Sequence, residues 1–204
     1  YLRAFCHQYY IIVSMPQKLT LTDQILAKIL IPFIPRWITP NIISTLRMMS
    51  VPFIGYFLWT EQYTIALPLF FLSAFSDAVD GSIARTRNLV SNTGKMLDPL
   101  ADKLLIATAA GIIIPRYLDW GIVITIIAID LILIVSAYVR KHYYGTIIQA
   151  ENSGKLKMIA QSLGLGALLI YAITGTLLFL TLGQYFLYAA IGFALISLVV
   201  YRAV

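Results

Sequence analysis

Four aspartates lie close together in one polar stretch of an otherwise apolar chain. The stretch reads DAVDGSIARTRNLVSNTGKMLDPLAD and occupies residues 77–102. Asp77 and Asp80 are three positions apart, and Asp98 and Asp102 are four apart, so each pair shares one face if its segment is helical. A turn between the pairs would bring the two faces together. An unpaired carboxylate costs roughly 2.5–3.5 kcal/mol at the centre of a lipid-facing helix. The pattern therefore predicts a hydrated pocket in which the four charges are neutralised.

The neighbouring residues indicate what the pocket holds. Hard carboxylate oxygens suit magnesium or manganese, and two divalent cations would balance four negative charges. The stretch contains no histidine, which disfavours zinc. Gly81, Ala84 and Gly94 leave room for a bulky ligand, and Arg85 offers a planar fork of donors suited to phosphate. These residues predict a two-metal site, with Mg²⁺ or Mn²⁺, that handles a phosphate or a diphosphate.

Composition indicates which elements position this site. The chain has 204 residues, of which 60% are hydrophobic and 12% charged, and its mean hydropathy is +0.84. These values predict an all-α integral membrane protein of one compact domain. A single cysteine excludes an internal disulfide framework. Apolar runs long enough for a bilayer predict six transmembrane helices, near residues 42–60, 65–87, 96–115, 119–142, 155–181 and 184–202.

The chain divides into two predicted parts. Residues 1–36 form an N-terminal segment, and residues 37–204 form the six-helix catalytic domain. Within the first part, apolar residues between Thr20 and Ile31 recur at helical spacing before a proline, which predicts an amphipathic helix lying on the membrane surface. Met15 is a candidate start, which would make the residues before it a leader.

The cations predict the orientation in the membrane. In the six-span topology 14 of the 15 lysines and arginines fall on one side, and Arg116 alone falls on the other. By the positive-inside rule, both termini and the aspartate site face the cytoplasm. The net charge of +6 therefore reflects topology and anionic lipid head groups, and no basic cluster with interleaved aromatics indicates a nucleic-acid partner.

The aspartate stretch resembles the signature of the CDP-alcohol phosphotransferase family. The pattern Asp-x2-Asp-Gly-x2-Ala-Arg-x8-Gly-x3-Asp-x3-Asp matches without departure, and the likeness extends over residues 20–202. The resemblance implies that an alcohol hydroxyl attacks the β-phosphorus of a CDP-lipid such as CDP-diacylglycerol and releases CMP. It implies that the four aspartates bind the two metal ions, with Asp102 as general base. It also implies a homodimer and a CDP pocket lined by Gly81, Ala84, Arg85 and Gly94.

A second motif precedes the first span. The segment TPNIISTLR is similar to the Pro-Asn-x-x-Thr sequence of the same family, so Asn41 and a nearby hydroxyl are expected to touch the nucleotide. Strict spacing assigns that hydroxyl to Ser44, one turn after Asn41, with Thr45 as the less favoured neighbour. Serine in place of threonine keeps the donor.

The acceptor alcohol is less well defined. The segment GKLKMIAQ, residues 154–161, resembles phosphatidylglycerophosphate synthases and favours glycerol 3-phosphate. The fourth span departs from those enzymes, because it reads IAID and has Ile129 where an arginine is common. Asp130 followed by Arg140 is more like the cardiolipin synthases of the family, which use phosphatidylglycerol, and an inositol phosphate is a third candidate. The expected acceptor-binding cations are Lys103, Arg140, Lys155 and Lys157.

Each of these residues has a simpler interpretation. The cations could be positive-inside residues that touch lipid head groups, and Asp130 could be a buried acid paired with a cation on a neighbouring helix. A small ion-coupled transporter is the alternative from another class, since intramembrane acids also move cations. It lacks support because the acidic pattern has no second copy in the C-terminal half, and it leaves Gly81 and Arg85 unexplained.

Overall fold

The protein is all-helical wherever its structure is described. The structure is a computed structural model that describes Pro35 and residues 39–86, 94–144 and 152–203. These residues contain no strand and form six helices: α1 Pro40–Trp59, α2 Tyr63–Thr86, α3 Gly94–Tyr117, α4 Trp120–Tyr144, α5 Asn152–Thr174 and α6 Leu177–Ala203. The amphipathic helix predicted between Thr20 and Ile31 lies outside the described residues, as does nearly all of the predicted segment 1–36.

Local sequence explains where the helices begin and end. Thr39 is extended, with φ −90° and ψ 155°, and Pro40 begins α1 because its fixed φ suits the first helical position. Glu61, with φ 62°, reverses the chain between α1 and α2. The Asp119 carboxylate accepts a hydrogen bond of 2.6 Å from the Gly121 amide and so caps the N-terminus of α4.

One predicted boundary is wrong. The fifth span was expected to run to residue 181, but α5 ends at Thr174 and α6 begins at Leu177. Gly175 adopts φ +67° and its amide donates to the Tyr171 carbonyl, which closes the helix in the manner of a C-terminal glycine. The apolar run continues through this turn, and hydropathy therefore does not reveal it. The other five spans match helices to within a few residues, except that α6 begins earlier than predicted.

A buried stripe on α1 holds the first three helices together. The stripe repeats every three or four residues along Ser44, Arg47, Val51, Ile54 and Leu58. Its apolar members join a core that also contains Phe70 of α2, the alanines and isoleucines of α3, and leucines of α5 and α6. Apolar packing thus occupies most of the stripe, while a serine and an arginine occupy its N-terminal end.

Glycines on α5 allow close contact with α6 and with α2. A Cβ atom added to Gly164 would lie 3.3 Å from the Gly183 carbonyl oxygen and 2.9 Å from the Leu187 side chain. A Cβ atom at Gly166 would lie 2.7 Å from the Phe71 ring of α2. Gly164 and Gly166 therefore lie against neighbouring helices of the same chain. Both are used within the chain, so they give no support to a dimer.

An arginine fastens the opposite end of this bundle. Arg116, in the last turn of α3, donates to the Tyr63 hydroxyl at 2.5 Å and to the Trp59 carbonyl at 2.9 Å, and it lies 3.4 Å from the Glu61 carboxylate. It therefore ties the turn between α1 and α2 to the end of α3. At about 1.5 Å per residue, this cluster lies roughly 20 Å along α3 from Asp102.

Four of the helices are long and apolar enough to cross a membrane, which indicates a membrane protein. These segments are Pro40–Trp59, Tyr63–Ile83, Leu156–Thr174 and Leu177–Leu198. The part of α4 with described side chains, Trp120–Ser136, is apolar but shorter. The helix α3 carries Asp102, Lys103 and Arg116, which lower its hydropathy. Many large apolar side chains point outward, among them Leu46, Phe53, Leu72 and Leu131, as expected for a lipid-facing surface.

Candidate active site

The described aspartates of the motif converge on an arginine that sequence reasoning did not assign to the site. Arg47 lies on the buried stripe of α1, and its side chain is 0% exposed. Its NH1 nitrogen lies 3.1 Å from Asp77 Oδ1 and 2.6 Å from Asp102 Oδ1, and its NH2 nitrogen lies 2.5 Å from Asp80 Oδ2. The Nε–H group donates to Ser76 Oγ at 2.9 Å. One planar guanidinium therefore binds four side chains on two neighbouring helices.

Three helices contribute to this cluster. The spacing of Asp77 and Asp80 puts both carboxylates on the face of α2 that packs against α1, as the sequence predicts. Asp102 enters from α3, eight residues after that helix begins. The predicted opposition of the two acidic faces is thus confirmed for Asp77, Asp80 and Asp102, since all three reach the same cation. The side chain of Asp98 lies outside the described part, although its backbone belongs to α3.

The three carboxylates differ strongly in exposure. The side chain of Asp80 is 2% exposed, that of Asp102 is 12% exposed and that of Asp77 is 42% exposed. The cluster therefore opens to its surroundings on the side of Asp77 and is closed beneath Asp80. Asp77 is thus the most accessible of the three carboxylates and Asp80 the most buried.

Three serines form hydrogen bonds around Arg47. Ser76 donates to the Ser73 carbonyl at 2.7 Å, so its oxygen is oriented to accept from Arg47. Ser50 donates to the Arg47 carbonyl at 2.7 Å and its hydroxyl lies 3.1 Å from that of Ser73. These serine hydroxyls lie between the charged cluster and the apolar core. They provide hydrogen bonds to the Arg47 guanidinium and to backbone carbonyls, which apolar side chains or lipid could not provide.

The residues of the Pro-Asn motif have different surroundings. Ser44 is buried and donates to Asp80 Oδ2 at 3.2 Å and to the Pro40 carbonyl at 3.0 Å. Thr45 is exposed and donates to the Asn41 carbonyl. A shallow groove of about 250 Å³ is lined by Asn41, Ile42, Thr45 and Leu46. Ser44 is the hydroxyl that reaches the aspartates, whereas Asn41 borders the adjoining surface.

Other predicted site residues are described only in part. Gly81 follows Asp80 on α2 and is half-buried. The side chains of Ala84 and Arg85, in the last turn of α2, lie outside the described part, as do the surroundings of Gly94, the first residue of α3. Their assignment to a CDP pocket stays a prediction.

A second charged pair lies between α4 and α5. The Lys157 ammonium of α5, only 7% exposed as a residue, bonds directly to the Asp130 carboxylate of α4, whose side chain is 17% exposed. Lys103, half-buried beside Asp102 on α3, is close enough to Lys157 for the two charges to repel each other. The interpretation of Asp130 as an acid paired with a cation on a neighbouring helix is confirmed, although Asp130 is partly and not fully buried. The side chains of Arg140 and Lys155 are not among those described.

The acidic donor set suits a hard divalent cation, but its described members are turned toward a guanidinium. Carboxylate oxygens from two helices converge on one region, which is the donor chemistry that Mg²⁺ and Mn²⁺ require. Among the described residues, no cluster of three or more acidic, histidine or cysteine side chains is arranged to hold a metal ion. The carboxylate oxygens are thus suitable ligands for Mg²⁺ or Mn²⁺, and in this structure the Arg47 guanidinium lies at the point where they meet.

The sequence contained a signal for Arg47. Counting cations by membrane side placed Arg47 among the positive-inside residues. Its position three residues after Ser44 and four before Val51 puts it on the buried stripe of an apolar helix. A buried cation of this kind requires a carboxylate partner, because an unpaired charge in the bilayer is costly. The motif supplies three such partners.

The fold and the site define a class of all-helical membrane protein with an acidic cluster where three helices meet. Residues 37–196 match the family model of CDP-alcohol phosphatidyltransferase. The chain belongs to the CDP-alcohol phosphatidyltransferase family, as the aspartate signature predicted.

Several relatives are named enzymes of this family. The chain is 34% identical over 134 residues to the CDP-diacylglycerol–glycerol-3-phosphate 3-phosphatidyltransferase of Bacillus subtilis, covering 63% of this chain and 67% of that protein. It is 31% identical over 141 residues to the protein of the same name from Blochmanniella floridana, covering 64% and 72%. It is 44% identical over 72 residues to the human cardiolipin synthase (CMP-forming), covering 35% of this chain. That match covers 24% of the length of the cardiolipin synthase.

Proposed function

We propose that this protein is a membrane phosphatidyltransferase that moves a phosphatidyl group from CDP-diacylglycerol to the hydroxyl of glycerol 3-phosphate and releases CMP, as a step of phospholipid biosynthesis. The observation that carries the proposal is the convergence of Asp77, Asp80 and Asp102 from two helices, inside the segment that matches the family. Three acids at one helix interface are costly in a membrane bundle, so their presence indicates a function beyond packing.

The reaction requires a proton acceptor beside the attacking hydroxyl. The acceptor oxygen forms a bond to the β-phosphorus, and the bond from that phosphorus to the bridging oxygen breaks, so CMP leaves with the electron pair. The hydroxyl proton passes to the carboxylate of Asp102. Asp102 suits this role because its carboxylate belongs to the cluster and its side chain, at 12% exposure, is not fully enclosed.

Asp77, Asp80, Asp98 and Asp102 would hold two divalent ions, Mg²⁺ or Mn²⁺. When bound, these ions would neutralise the negative charge of the diphosphate and of the departing CMP. Ser44 hydrogen-bonds Asp80 and would orient that carboxylate. Asn41, Gly81, Ala84, Arg85 and Gly94 would bind the CDP moiety, in accordance with their positions in the signature.

Glycerol 3-phosphate is the preferred acceptor for two reasons. Two relatives that match this chain over 63% and 64% of its length carry that substrate in their names. Lys103 and Lys157 lie near each other on α3 and α5, and together with Arg140 and Lys155 they would attract a phosphorylated alcohol.

Phosphatidylglycerol is the second candidate, as in a cardiolipin synthase. One observation favours it: Asp130 already pairs with Lys157 and offsets its charge. A balanced pair attracts a dianionic phosphate less strongly than a lone lysine would, which suits an acceptor whose reacting end is an uncharged glycerol. The identity to human cardiolipin synthase (CMP-forming), although confined to 72 residues, agrees with this alternative.

The proposal includes an arrangement in the membrane. All six helices would cross the bilayer after an amphipathic surface helix, with the aspartate cluster and both termini on the cytoplasmic side. The distribution of lysine and arginine supports this arrangement, because the six-span topology puts 14 of the 15 on the cytoplasmic side and only Arg116 on the opposite side. A homodimer is proposed from the family resemblance alone.

The test is CMP release by purified protein in detergent with CDP-diacylglycerol and Mg²⁺. Glycerol 3-phosphate, phosphatidylglycerol and an inositol phosphate are supplied in parallel. We expect release with glycerol 3-phosphate, loss of release with a chelator, and recovery on adding Mg²⁺ or Mn²⁺. Release with phosphatidylglycerol alone would select the second candidate. Absence of release with every acceptor, despite bound CDP-lipid, would refute both acceptors.

A further inference from the structure

The aspartate cluster contains its own positive charge. Asp77, Asp80 and Asp102 bring three negative charges, and Arg47 brings one positive charge, so the described cluster retains two negative charges. The bonds of 2.5–3.1 Å between guanidinium nitrogens and carboxylate oxygens are those of strong charge-assisted pairs. Each of these carboxylates would also be needed by a divalent cation under the proposed function.

We infer that Arg47 is a built-in counter-ion that competes with the divalent cations for the carboxylates of Asp77, Asp80 and Asp102. This inference rests on the proposed function, because it takes the aspartates to be the metal ligands. It assigns Arg47 a positioning role rather than a catalytic one. The guanidinium neutralises and orders the acids before metal arrives, and it must withdraw from at least some of their oxygens when metal binds.

The geometry supports competition more than simple scaffolding. A residue that only supports metal ligands usually bonds to the outer side of one or two of them. Arg47 instead inserts a single cation between acids of α2 and α3, and its NH1 nitrogen alone contacts both Asp77 and Asp102. An ion bound to the same oxygens would lie close to the guanidinium, and two positive charges at such a distance repel each other in a buried site.

The burial of Arg47 explains why the arrangement persists without metal. Its side chain is 0% exposed, and the Ser76 hydroxyl occupies its Nε–H group. The cation is therefore shielded from water, and in the absence of metal its partners cannot separate from it without leaving charges unpaired. The expected consequence is a protein that folds without metal and binds metal more weakly than its carboxylates alone would allow.

The experiment measures Mn²⁺ binding to the purified full chain by electron paramagnetic resonance and calorimetry. Wild type is compared with Arg47→Met, which keeps much of the length and loses the charge, and with Arg47→Lys, which keeps a charge but loses the planar fork. Arg116→Met is the matched control, because it removes an arginine with three hydrogen-bonding or ionic partners at the far end of α3.

We expect Arg47→Met to bind Mn²⁺ at least about tenfold more tightly than wild type, because a neighbouring positive charge is removed. Arg47→Lys should fall between the two, and Arg116→Met should match wild type. In EDTA, Arg47→Met should melt at a lower temperature than wild type, and saturating Mn²⁺ should raise its melting temperature more than that of wild type. Weaker or unchanged Mn²⁺ binding in both Arg47 variants would overturn the inference.

Failure to fold is also informative. If Mn²⁺ can replace the missing charge, Arg47→Met purified in Mn²⁺ should give the helical circular dichroism of wild type. A variant that stays unfolded in saturating Mn²⁺ contradicts competition. The proposed function fails separately: wild type would then bind no Mn²⁺ at any aspartate, or would release no CMP with any acceptor.

Discussion

The guanidinium of Arg47 lies 2.5 Å from the carboxylate of Asp80, across the interface of two apolar helices, and neither residue is more than 2% exposed. The pair joins positions 33 residues apart and sits at the polar end of an otherwise hydrophobic stripe. Removing one member of a buried pair leaves the other charge uncompensated, which is far more costly than breaking an exposed pair.

Asp80→Asn should therefore destabilise the protein more than Asp77→Asn. Asp80 is the most deeply buried of the three partners, whereas the side chain of Asp77 is 42% exposed. We expect Asp80→Asn to lower the free energy of unfolding by about 1.5–3 kcal/mol, the range for a hydrogen bond to a charged group. Asp77→Asn should cost less than about 1 kcal/mol. Thermal or denaturant unfolding in detergent and EDTA measures both, and equal losses would contradict the difference in burial.

Asp102→Asn should lower turnover by roughly 10²–10⁴-fold in a protein that still folds, because Asp77 and Asp80 continue to pair with Arg47. An amide keeps the shape of the side chain and cannot accept the hydroxyl proton, and general-base catalysis is worth roughly 10²–10⁴-fold in rate. CMP release measures the loss, and binding of CDP-diacylglycerol provides a second readout that should change much less. Asp119→Asn is the control, because Asp119 caps α4 and lies outside the cluster. Turnover within a few-fold of wild type would exclude Asp102 as the base.

The pair between Lys157 and Asp130 should set the affinity for a phosphorylated acceptor. Lys157→Met removes a cation near Lys103, so we expect KM for glycerol 3-phosphate to rise by about tenfold or more, with a smaller change in kcat. Asp130→Asn removes the charge that offsets Lys157 and should lower KM. Initial rates over a range of acceptor concentrations measure both.

The double variant of this pair separates affinity from stability. Asp130→Asn with Lys157→Met removes both charges of the pair, so this variant should unfold closer to wild type than Lys157→Met alone. Its KM for glycerol 3-phosphate should still be raised, because the cation is absent. If Asp130→Asn and Lys157→Met raise KM equally, the pair acts through local structure and not through the acceptor.

Gly164→Ala should loosen the contact between α5 and α6. The new methyl group would lie 2.9 Å from Leu187 and 3.3 Å from the Gly183 carbonyl, so the helices must move apart. Overpacking of this kind costs typically about 1–3 kcal/mol. Gly192→Ala is the matched control on α6, where an added Cβ has no atom within 4 Å, and alanine there should be neutral or slightly stabilising. Melting temperatures in detergent measure the difference, and equal shifts would refute the close contact.

Hydropathy and residue spacing predicted most of the helical architecture. Apolar runs of bilayer length located the helices, and most of the predicted bounds lie within a few residues of the observed ones. The end of α5 was missed because Gly175 lies inside a continuous apolar run, and only its left-handed backbone conformation shows the turn. The length and composition of an apolar run predict a membrane span. The two-residue turn between α5 and α6 depends instead on local dihedral angles.

The sequence by itself determined the family and the acidic chemistry of the site, because helical spacing puts the paired aspartates on shared faces and fixes their type. Only the tertiary structure decided what those acids contact. The packing of α1 against α2 and α3 brings Arg47 to Asp77, Asp80 and Asp102, and the packing of α4 against α5 brings Asp130 to Lys157. Periodicity within a helix gives the direction of a side chain. The partner depends on which helices pack together and at what height, and this is set by the whole core.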